Sequence, residues 1–115
     1  MAGEAIPDAG SVGRAVWGFQ RRMSEDPLLA WTFNGVNHER LHEHALAFVI
    51  AALGGPDLYR GRDLRTAHGR FSLHDEHFDA AVEHLLAALR EAGIADSVVA
   101  ELAGRLEPLR QQIVS

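Results

Sequence analysis

LGGPDLYRGRDLRTAH, residues 53–68, turns the chain through a corner and ends on a histidine. Leu53 closes an apolar helix. Gly54, Gly55 and Pro56 prevent that helix from continuing, because glycine readily adopts left-handed backbone angles and proline cannot extend a helix. A loop follows, and His68 comes at the end of the next helical turn. The stretch therefore predicts a corner that presents His68, and its spacing alone leaves open a functional histidine or a solvated one.

The composition is that of a single globular domain. The 115 residues suffice for one domain, and 47% of them are hydrophobic, as in ordinary folded proteins. The net charge of −5 comes without a basic stripe, which argues against a nucleic-acid partner. Cysteine is absent from the sequence, so disulfides and thiol catalysis are excluded. No apolar run is long enough to span a bilayer and no signal peptide is visible, so we expect a cytoplasmic protein without a membrane partner.

Apolar residues recur at helical spacing, and no segment alternates with the period of a strand. We expect residues 1–10 to be a flexible lead and residues 11–115 to form the folded domain. Start and stop signals then place four substantial helices and two short ones. The substantial helices are one over 11–23 capped by Ser11, one over 38–54 capped by Asn37, one from a capping box at Ser72–Asp75 to about Ala92 and Gly93, and a last one from Asp96 or Ser97, kinked at Pro108. One short helix runs from Asp26 and Pro27 to Asn34 and Gly35, and the other is the helical turn that ends at His68. The prediction is an all-α fold with glycine-rich corners.

Seven histidines are a high number for this length, and two of them raise the question of a metal site. His38 and His42 lie one turn apart on a predicted helix, and Glu39-x-x-His42 has the spacing of half a diiron site. The sequence has no second Glu-x-x-His, and a zinc site would need one or two further ligands. Our interpretation is that five histidines are solvated surface residues: His38, His42, His74, His77 and His84.

His44 and His68 differ from those five because each lies beside a strongly apolar face. They stand on either side of the corner, so if their helices face each other the pair can bracket a flat apolar ligand. Heme is such a ligand, since its iron takes an imidazole on one side and a small molecule on the other. Aromatic and aliphatic residues are available for its walls: Phe19, Phe33, Leu41, Phe48, Tyr59, Leu64, Leu73 and Phe78.

A series of motifs also has the order and spacing found in group I truncated hemoglobins, and the chain resembles that family over residues 11–114. The motifs are Phe19, Asp26-Pro27-Leu28, Phe33-Asn34-Gly35, Ala51-Ala52-Leu53-Gly54-Gly55-Pro56, Tyr59-x-Gly61, Leu64-x-x-Ala67-His68 and His77-Phe78-Asp79. The resemblance implies a globin-like two-over-two helical sandwich with a loop-rich proximal region. It also implies heme b, with His68 as the proximal ligand of the iron and Phe33 stacked near the heme.

The distal side departs from the usual pattern of that family. Gln20 stands where a Tyr commonly hydrogen-bonds oxygen, Leu41 takes the usual distal position, and Ala45 stands where Gln is frequent. Gln20 can still donate a hydrogen bond, which contributes about 1 kcal/mol. His44 matches a position that supplies a sixth iron ligand in cyanobacterial and algal members, whereas many relatives carry a Lys there that pairs with a heme propionate. The opening Ala5-Ile6-Pro7-Asp8 also lacks the Tyr and Gly-Gly of the family's first short helix.

The resemblance implies a heme protein that reversibly binds oxygen, nitric oxide or carbon monoxide, and we favour a non-enzymatic oxygen binder. Oxygen transport, nitric oxide dioxygenation with a reductase partner, and bis-His electron transfer stay open within it, because the chemistry belongs to the cofactor. Two other classes also stay open: a globin-like sensor or interaction module that has lost its heme, and a helical protein with a nonheme metal on His38 and His42. A Soret band in the absorption spectrum separates the first class from the others.

Overall fold

The structure, a computed structural model of the chain, describes residues 8–54 and 72–114. All regular structure in these two ranges is helical, which confirms the all-α prediction. Within them, no helix is long and apolar enough to cross a membrane. The elements are α1 (Ala9–Glu25), a 3₁₀ helix (Ala30–Phe33), α2 (His38–Ala52), α3 (Asp75–Glu91), α4 (Asp96–Leu106), a second 3₁₀ helix (Glu107–Leu109) and α5 (Arg110–Ile113).

Helix α1 begins two residues earlier than the sequence predicted. Asp8 is its N-cap, because Asp8 Oδ1 accepts from Ser11 N at 2.9 Å and Asp8 Oδ2 accepts from the Ser11 hydroxyl at 3.0 Å. These hydrogen bonds lower the pKa of Asp8, and an ionised carboxylate is also favoured at the positive end of a helix dipole. The prediction of Ser11 as the cap was wrong, and Ala9 and Gly10, which we had assigned to the flexible lead, lie in the helix.

Asp26 begins the next turn and the helix that follows is short, both as predicted, and this helix is of 3₁₀ type. Asp26 Oδ1 accepts from Leu28 N at 2.9 Å, and the Asp26 carbonyl accepts from Ala30 N at 2.8 Å. Only Ala30–Phe33 is regular after this turn. Gly35 then takes a φ of +75°, which glycine adopts without steric cost. This confirms the predicted stop and lets the chain reverse into α2.

Helix α2 has the cap that the sequence predicted. Asn37 Oδ1 accepts from Arg40 N at 3.0 Å. The helix ends at Ala52, two residues before the predicted end, and Gly54 takes a φ of +95°. Arg105 Nη1 donates to the Ala52 carbonyl at 2.5 Å, and so satisfies one of the carbonyls that a helix end leaves without a partner. The rest of the corner, residues 55–68, lies outside the described residues.

Helix α3 begins later than predicted, and its capping box uses imidazole rather than carboxylate. His74 is the N-cap, and His74 N donates to His77 Nδ1 at 2.8 Å. The predicted box at Ser72–Asp75 was wrong because the ring nitrogen of His77 acts as the acceptor that Glu usually supplies. Gly93, with a φ of +90°, follows the end of α3, and Pro108 lies in the 3₁₀ helix that separates α4 from α5. Both of these predictions are confirmed.

The core lies where α1 crosses α3. Helix α1 packs mainly against α3 and also against α2, while α3 packs against α4. Val16 on α1 and Leu89 on α3 are both 0% exposed, so both side chains are shielded from solvent. The core cluster contains Val12, Ala15, Val16, Val49, Leu53, Leu85, Leu89, Ile94, Val98, Val99, Leu102 and Leu106.

Arg110 fastens α5 to the start of α3. Its guanidinium donates to Asp75 at 2.9 Å, to Asp79 at 2.5 Å and to Glu107 at 2.7 Å. The same group lies 4.5 Å from the centroid of the Phe78 ring. The hydrogen bond from Arg110 lowers the pKa of Glu107. Arg110 therefore covers one side of a buried aromatic ring while three carboxylates satisfy its donors.

A second contact joins α3 to the turn after α1. His84 Nε2 lies 2.8 Å from Asp26 Oδ2, with 23% of the His84 side chain and 25% of the Asp26 side chain exposed. An ionised carboxylate only accepts, so Nε2 carries the hydrogen. This hydrogen bond, and after it the one from Leu28 N, lowers the pKa of Asp26 below its ordinary 3.8. The prediction that His84 is solvated was therefore wrong.

We expect the stabilisation from Asp26 to be lost in acid. Asp26 binds its proton more weakly in the folded chain than in the unfolded chain. Its contribution is therefore complete above the unfolded pKa, near 3.8, and disappears as the pH falls through the lowered folded pKa. Asp26→Asn keeps an oxygen for Leu28 N and removes the charge. Urea unfolding should show the wild type more stable than the variant above about pH 4, with the difference shrinking below it. A difference that stays constant across the acid range would contradict this role.

Candidate functional site

A cavity of about 650 Å³ lies between α1, α2, α3, the first 3₁₀ helix and the C-terminal segment. Ligand pockets commonly measure roughly 300–1,000 Å³ and combine apolar walls with a few polar groups. The apolar wall consists of Phe19, Met23, Leu29, Phe33, Val36, Leu41, Ala45, Phe48, Val49, Leu73, Phe78, Ala81, Val82, Leu85, Leu106, Leu109 and Ile113. The polar side chains on the wall are Gln20, Thr32, Asn37, Arg40, His44 and His77. The arrangement suits a large apolar ligand that carries polar groups on part of its edge.

The cavity gathers the predicted site residues that fall within the described ranges. Nine of them line it: Phe19, Gln20, Phe33, Leu41, His44, Ala45, Phe48, Leu73 and Phe78. Three other predicted site residues, Tyr59, Leu64 and His68, lie outside the described residues. The nine come from α1, the first 3₁₀ helix, α2 and the segment around the start of α3, so the tertiary fold brings them together.

Helix α2 contributes one complete face to the cavity. Leu41, His44, Ala45 and Phe48 all line it, and their positions i, i+3, i+4 and i+7 lie on the same side of an α-helix. His44 is exposed, whereas Ala45 and Phe48 are half-buried. His44 therefore stands at the solvent edge of the cavity, beside residues that lie deeper in its wall.

Gln20 is buried, and each end of its side-chain amide has one hydrogen-bond partner. It is 3% exposed, and Gln20 Nε2 donates to the His38 carbonyl at 3.2 Å. Gln20 Oε1 lies 3.2 Å from His42 Nδ1. The carbonyl of His38 fixes which end of the amide faces it, because an oxygen placed there would meet another acceptor. It follows that Oε1 accepts from a hydrogen on His42 Nδ1.

His42 is held on two sides, which makes the prediction of a solvated His42 wrong. Its ring stacks on Trp17 with a centroid separation of 3.9 Å and an interplanar angle of 8°, and its Nδ1 bonds Gln20. Burial lowers the pKa of His42, and the nearby carboxylate of Glu43 opposes this shift only in part. The ring of His42 therefore fills a defined place between the surface and the buried amide of Gln20.

The other histidines differ among themselves in their surroundings. His38 and His74 are exposed, as predicted. His77, in contrast, lines the cavity, so the prediction of a solvated His77 was wrong. Since His77 Nδ1 accepts from His74 N, a neutral His77 ring carries its hydrogen on Nε2. Trp31 approaches this ring edge-on at a centroid separation of 6.0 Å.

Sequence reasoning missed several wall residues that helical periodicity contained. His77, Ala81 and Leu85 follow one another at four-residue intervals and all line the cavity. Arg40 precedes His44 by one turn and lines it as well, although its side chain is largely exposed. The wall residues of the C-terminal segment could not be recognised from the sequence, because the periodicity of a helix does not show which distant element its apolar face packs against.

The described residues do not bring together the ligands of a nonheme metal centre. In residues 8–54 and 72–114, no group of three or more His, Asp or Glu side chains is placed to hold a metal ion. His38 is exposed and His42 is engaged with Trp17 and Gln20. The described part of the chain therefore offers no third ligand beside this pair.

The sequence and the fold are similar to those of a known protein family. The bacterial-like globin family model matches residues 4–115. The chain is similar to a group 1 truncated hemoglobin of Synechocystis sp., with 36% identity over 104 residues that cover 87% of this chain and 84% of the relative. It is also similar to a group 1 truncated hemoglobin of Tetrahymena thermophila, with 32% identity over 93 residues that cover 81% of this chain and 77% of the relative.

Solved structures agree with these sequence matches. The truncated hemoglobin of Tetrahymena pyriformis in its Fe(III) form superposes with a TM-score of 0.86 at 30% identity, covering 90% of this chain and 89% of that chain. The 2/2 hemoglobin of Synechococcus sp., solved in the cyanomet state with covalently attached heme, superposes with a TM-score of 0.87 at 26% identity, covering 95% and 94%. The predicted two-over-two globin-like fold is therefore confirmed.

Proposed function

The chain belongs to the bacterial-like globin family, a family of heme-based gas binders, and on that premise we propose that it holds heme b in the cavity described above. In this proposal His68 is the proximal ligand of the iron, and the protein reversibly binds oxygen or another diatomic gas. One observation supports the proposal: the nine predicted heme-pocket residues that fall within the described ranges line one cavity of about 650 Å³.

The chemistry of the wall fits heme. Phe19, Phe33, Phe48 and Phe78 all line the cavity, and such aromatic side chains suit the flat apolar macrocycle. At the exposed edge, Arg40 can supply the cation for a heme carboxylate, because a guanidinium pairs with carboxylates in a fixed two-pronged geometry. Apolar walls together with an edge cation match the two chemically different parts of heme.

When bound, heme supplies an iron that can hold a diatomic gas reversibly. The chain's own contribution on the distal side is Gln20. Gln20 Nε2 has two hydrogens, and the His38 carbonyl takes one of them. The other is available as a donor to a gas ligand in the cavity that Gln20 lines. Leu41 and Ala45 offer no side-chain donor, so Gln20 is the distal donor we propose. A distal side with one hydrogen-bond donor favours reversible gas binding over nitric oxide dioxygenation with a reductase.

The absorption spectrum of the protein purified with heme supplied tests this function. A Soret band that elutes with the protein and shifts on reduction and on addition of carbon monoxide is the expected result. A protein that stays folded and takes up no heme would overturn the proposal and favour the sensor or interaction module.

The absence of cysteine supports placing the protein in the reducing cytoplasm.

His44 is the residue for which we propose a sixth iron ligand in the gas-free state. It lines the cavity from an exposed position on α2, so its ring can enter or leave without displacing a buried residue. We expect His44→Leu to convert a six-coordinate ferrous spectrum into a five-coordinate one. Carbon monoxide should also bind with about tenfold higher apparent affinity if the open form is about one-tenth populated in the wild type.

His38→Leu is the matched control, because His38 is an exposed histidine of the same helix that does not line the cavity. Its ferrous spectrum should equal that of the wild type. A wild-type ferrous spectrum that is already five-coordinate, and that His44→Leu leaves unchanged, would refute the sixth-ligand role. Pairing of His44 with a heme carboxylate would then be the better account.

A further inference from the structure

Three side chains connect the protein surface with the cavity wall. Trp17 is 46% exposed, and its indole stacks on the ring of His42 at 3.9 Å with an angle of 8° between the planes. His42 Nδ1 lies 3.2 Å from Gln20 Oε1, and Gln20 lines the cavity. We call this set the Trp17–His42–Gln20 array.

We propose that His42 is a positioning residue that orients the amide of Gln20, so that Gln20 presents an N–H and not its oxygen to a ligand in the cavity. Trp17 supports this by confining the plane of the imidazole ring. The inference rests on the proposed function of Gln20 as the distal donor, and it adds the residue that makes that donor effective.

The argument begins with the freedom of a glutamine amide. The terminal torsion of Gln has a broad, roughly two-fold profile, so the two ends of the amide exchange places easily unless partners distinguish them. An amide whose oxygen faced the cavity would repel the electron-rich end of a bound gas instead of donating to it. The geometry of both ends therefore decides whether Gln20 helps or hinders binding.

Two partners fix that geometry here. The His38 carbonyl accepts from Nε2 at 3.2 Å, which directs one N–H away from the cavity wall and toward α2. His42 Nδ1 donates to Oε1, which occupies the oxygen and leaves the second N–H for the cavity. Nδ1 carries a hydrogen in this arrangement whether the ring is neutral or charged. With the amide held at both ends, the donor is in place before any ligand arrives.

His42→Phe is the variant that isolates this role, because it keeps an aromatic ring against Trp17 and removes the Nδ1 hydrogen. In the heme-loaded protein we expect the C–O stretching band of the carbon monoxide complex to broaden or split toward higher frequency, as the amide loses its single orientation. The oxygen dissociation rate should rise by about fivefold, the factor expected for one average hydrogen bond. His42→Asn restores a side-chain N–H near the position of Nδ1 and should recover most of the wild-type band and rate.

Two comparisons separate positioning from a general structural effect. In a Gln20→Leu background, His42→Phe should change neither the band nor the rate further, since no amide remains to be oriented. Glu39→Gln changes an exposed side chain of the same helix that does not line the cavity, and it should match the wild type. Equal effects of His42→Phe with and without Gln20, or no rescue by His42→Asn, would overturn the proposal.

A measurement that does not depend on heme keeps this inference distinct from the proposed function. In ¹⁵N NMR spectra of the purified protein, His42 Nδ1 should be protonated, and the two side-chain amide hydrogens of Gln20 should change chemical shift or broaden in His42→Phe. A His42 that carries its hydrogen only on Nε2 would overturn the positioning role. Failure to bind heme would instead overturn the proposed function, while the NMR result would still decide how Gln20 is oriented.

Discussion

His68→Gly is expected to remove heme from the protein. The proposed bond from the His68 imidazole to the iron is the coordinate link that remains when a gas displaces His44, and the apolar wall of the cavity holds the macrocycle by contact. Loss of an outer partner of a metal ligand already lowers metal affinity by roughly 10–100-fold, so loss of the ligand itself should exceed that range. The heme dissociation rate, measured by transfer to an excess of apoglobin, should therefore rise by about 100-fold or more.

Added imidazole provides the sharper part of this experiment. It can enter the space that the deleted side chain leaves, so it should restore the Soret band and the ferrous spectrum of His68→Gly in a concentration-dependent manner. His38→Gly is the matched control, since His38 is exposed at the first residue of α2, and it should retain heme. Normal heme retention and an unchanged spectrum of His68→Gly without imidazole would refute the assignment of the proximal ligand.

Helical periodicity predicted the elements of this fold because each helix buries one face. The Asn37 cap and the stops at Gly35 and Gly93 followed from local chemistry, in which a side chain satisfies a neighbouring amide or a glycine takes a positive φ. The starts of α1 and α3 were placed wrongly for the same reason. Several residue types can accept hydrogen bonds from the free amides at a helix start. In this chain Asp8, and not Ser11, caps α1, and His77 Nδ1 accepts from the backbone amide of His74 at the start of α3.

The histidines show where local patterns stop being informative. His84 bonds Asp26, 58 residues away, and His42 bonds Gln20, 22 residues away. Both appeared solvated on a helical projection because the projection omits the helix that packs against them. The resemblance to a family singled out residues that line the cavity, such as Gln20 and Leu41. The hydrogen-bond partners of His42 and His84, in contrast, are set by the packing of α1 and the turn after it against α2 and α3, and they needed the tertiary structure.

Leu89→Ala should destabilise the folded protein by about 2–5 kcal/mol, the usual cost of truncating a buried leucine. Leu89 is 0% exposed and lies in the core cluster at the crossing of α1 and α3. A domain of this size has roughly 5–15 kcal/mol of stability in total, so the variant should lose a large part of it. Guanidinium unfolding of the heme-loaded protein, followed by circular dichroism, measures the change as a lower midpoint with an unchanged slope.

Leu85, one turn before Leu89 on α3, separates the stability of the core from the shape of the cavity. Leu85 is also buried, at 6% exposed, but it lines the cavity, whereas Leu89 does not. Both alanine variants should therefore unfold at lower denaturant concentration, while only Leu85→Ala should alter the Soret band and speed the transfer of heme to apoglobin under native conditions. The cavity of Leu85→Ala would gain the volume of the missing side chain where heme is proposed to bind, and the macrocycle would lose contacts there. Equal effects of the two variants on heme transfer would show that the cofactor responds to global stability and not to this wall, and so would contradict the placement of heme against α3.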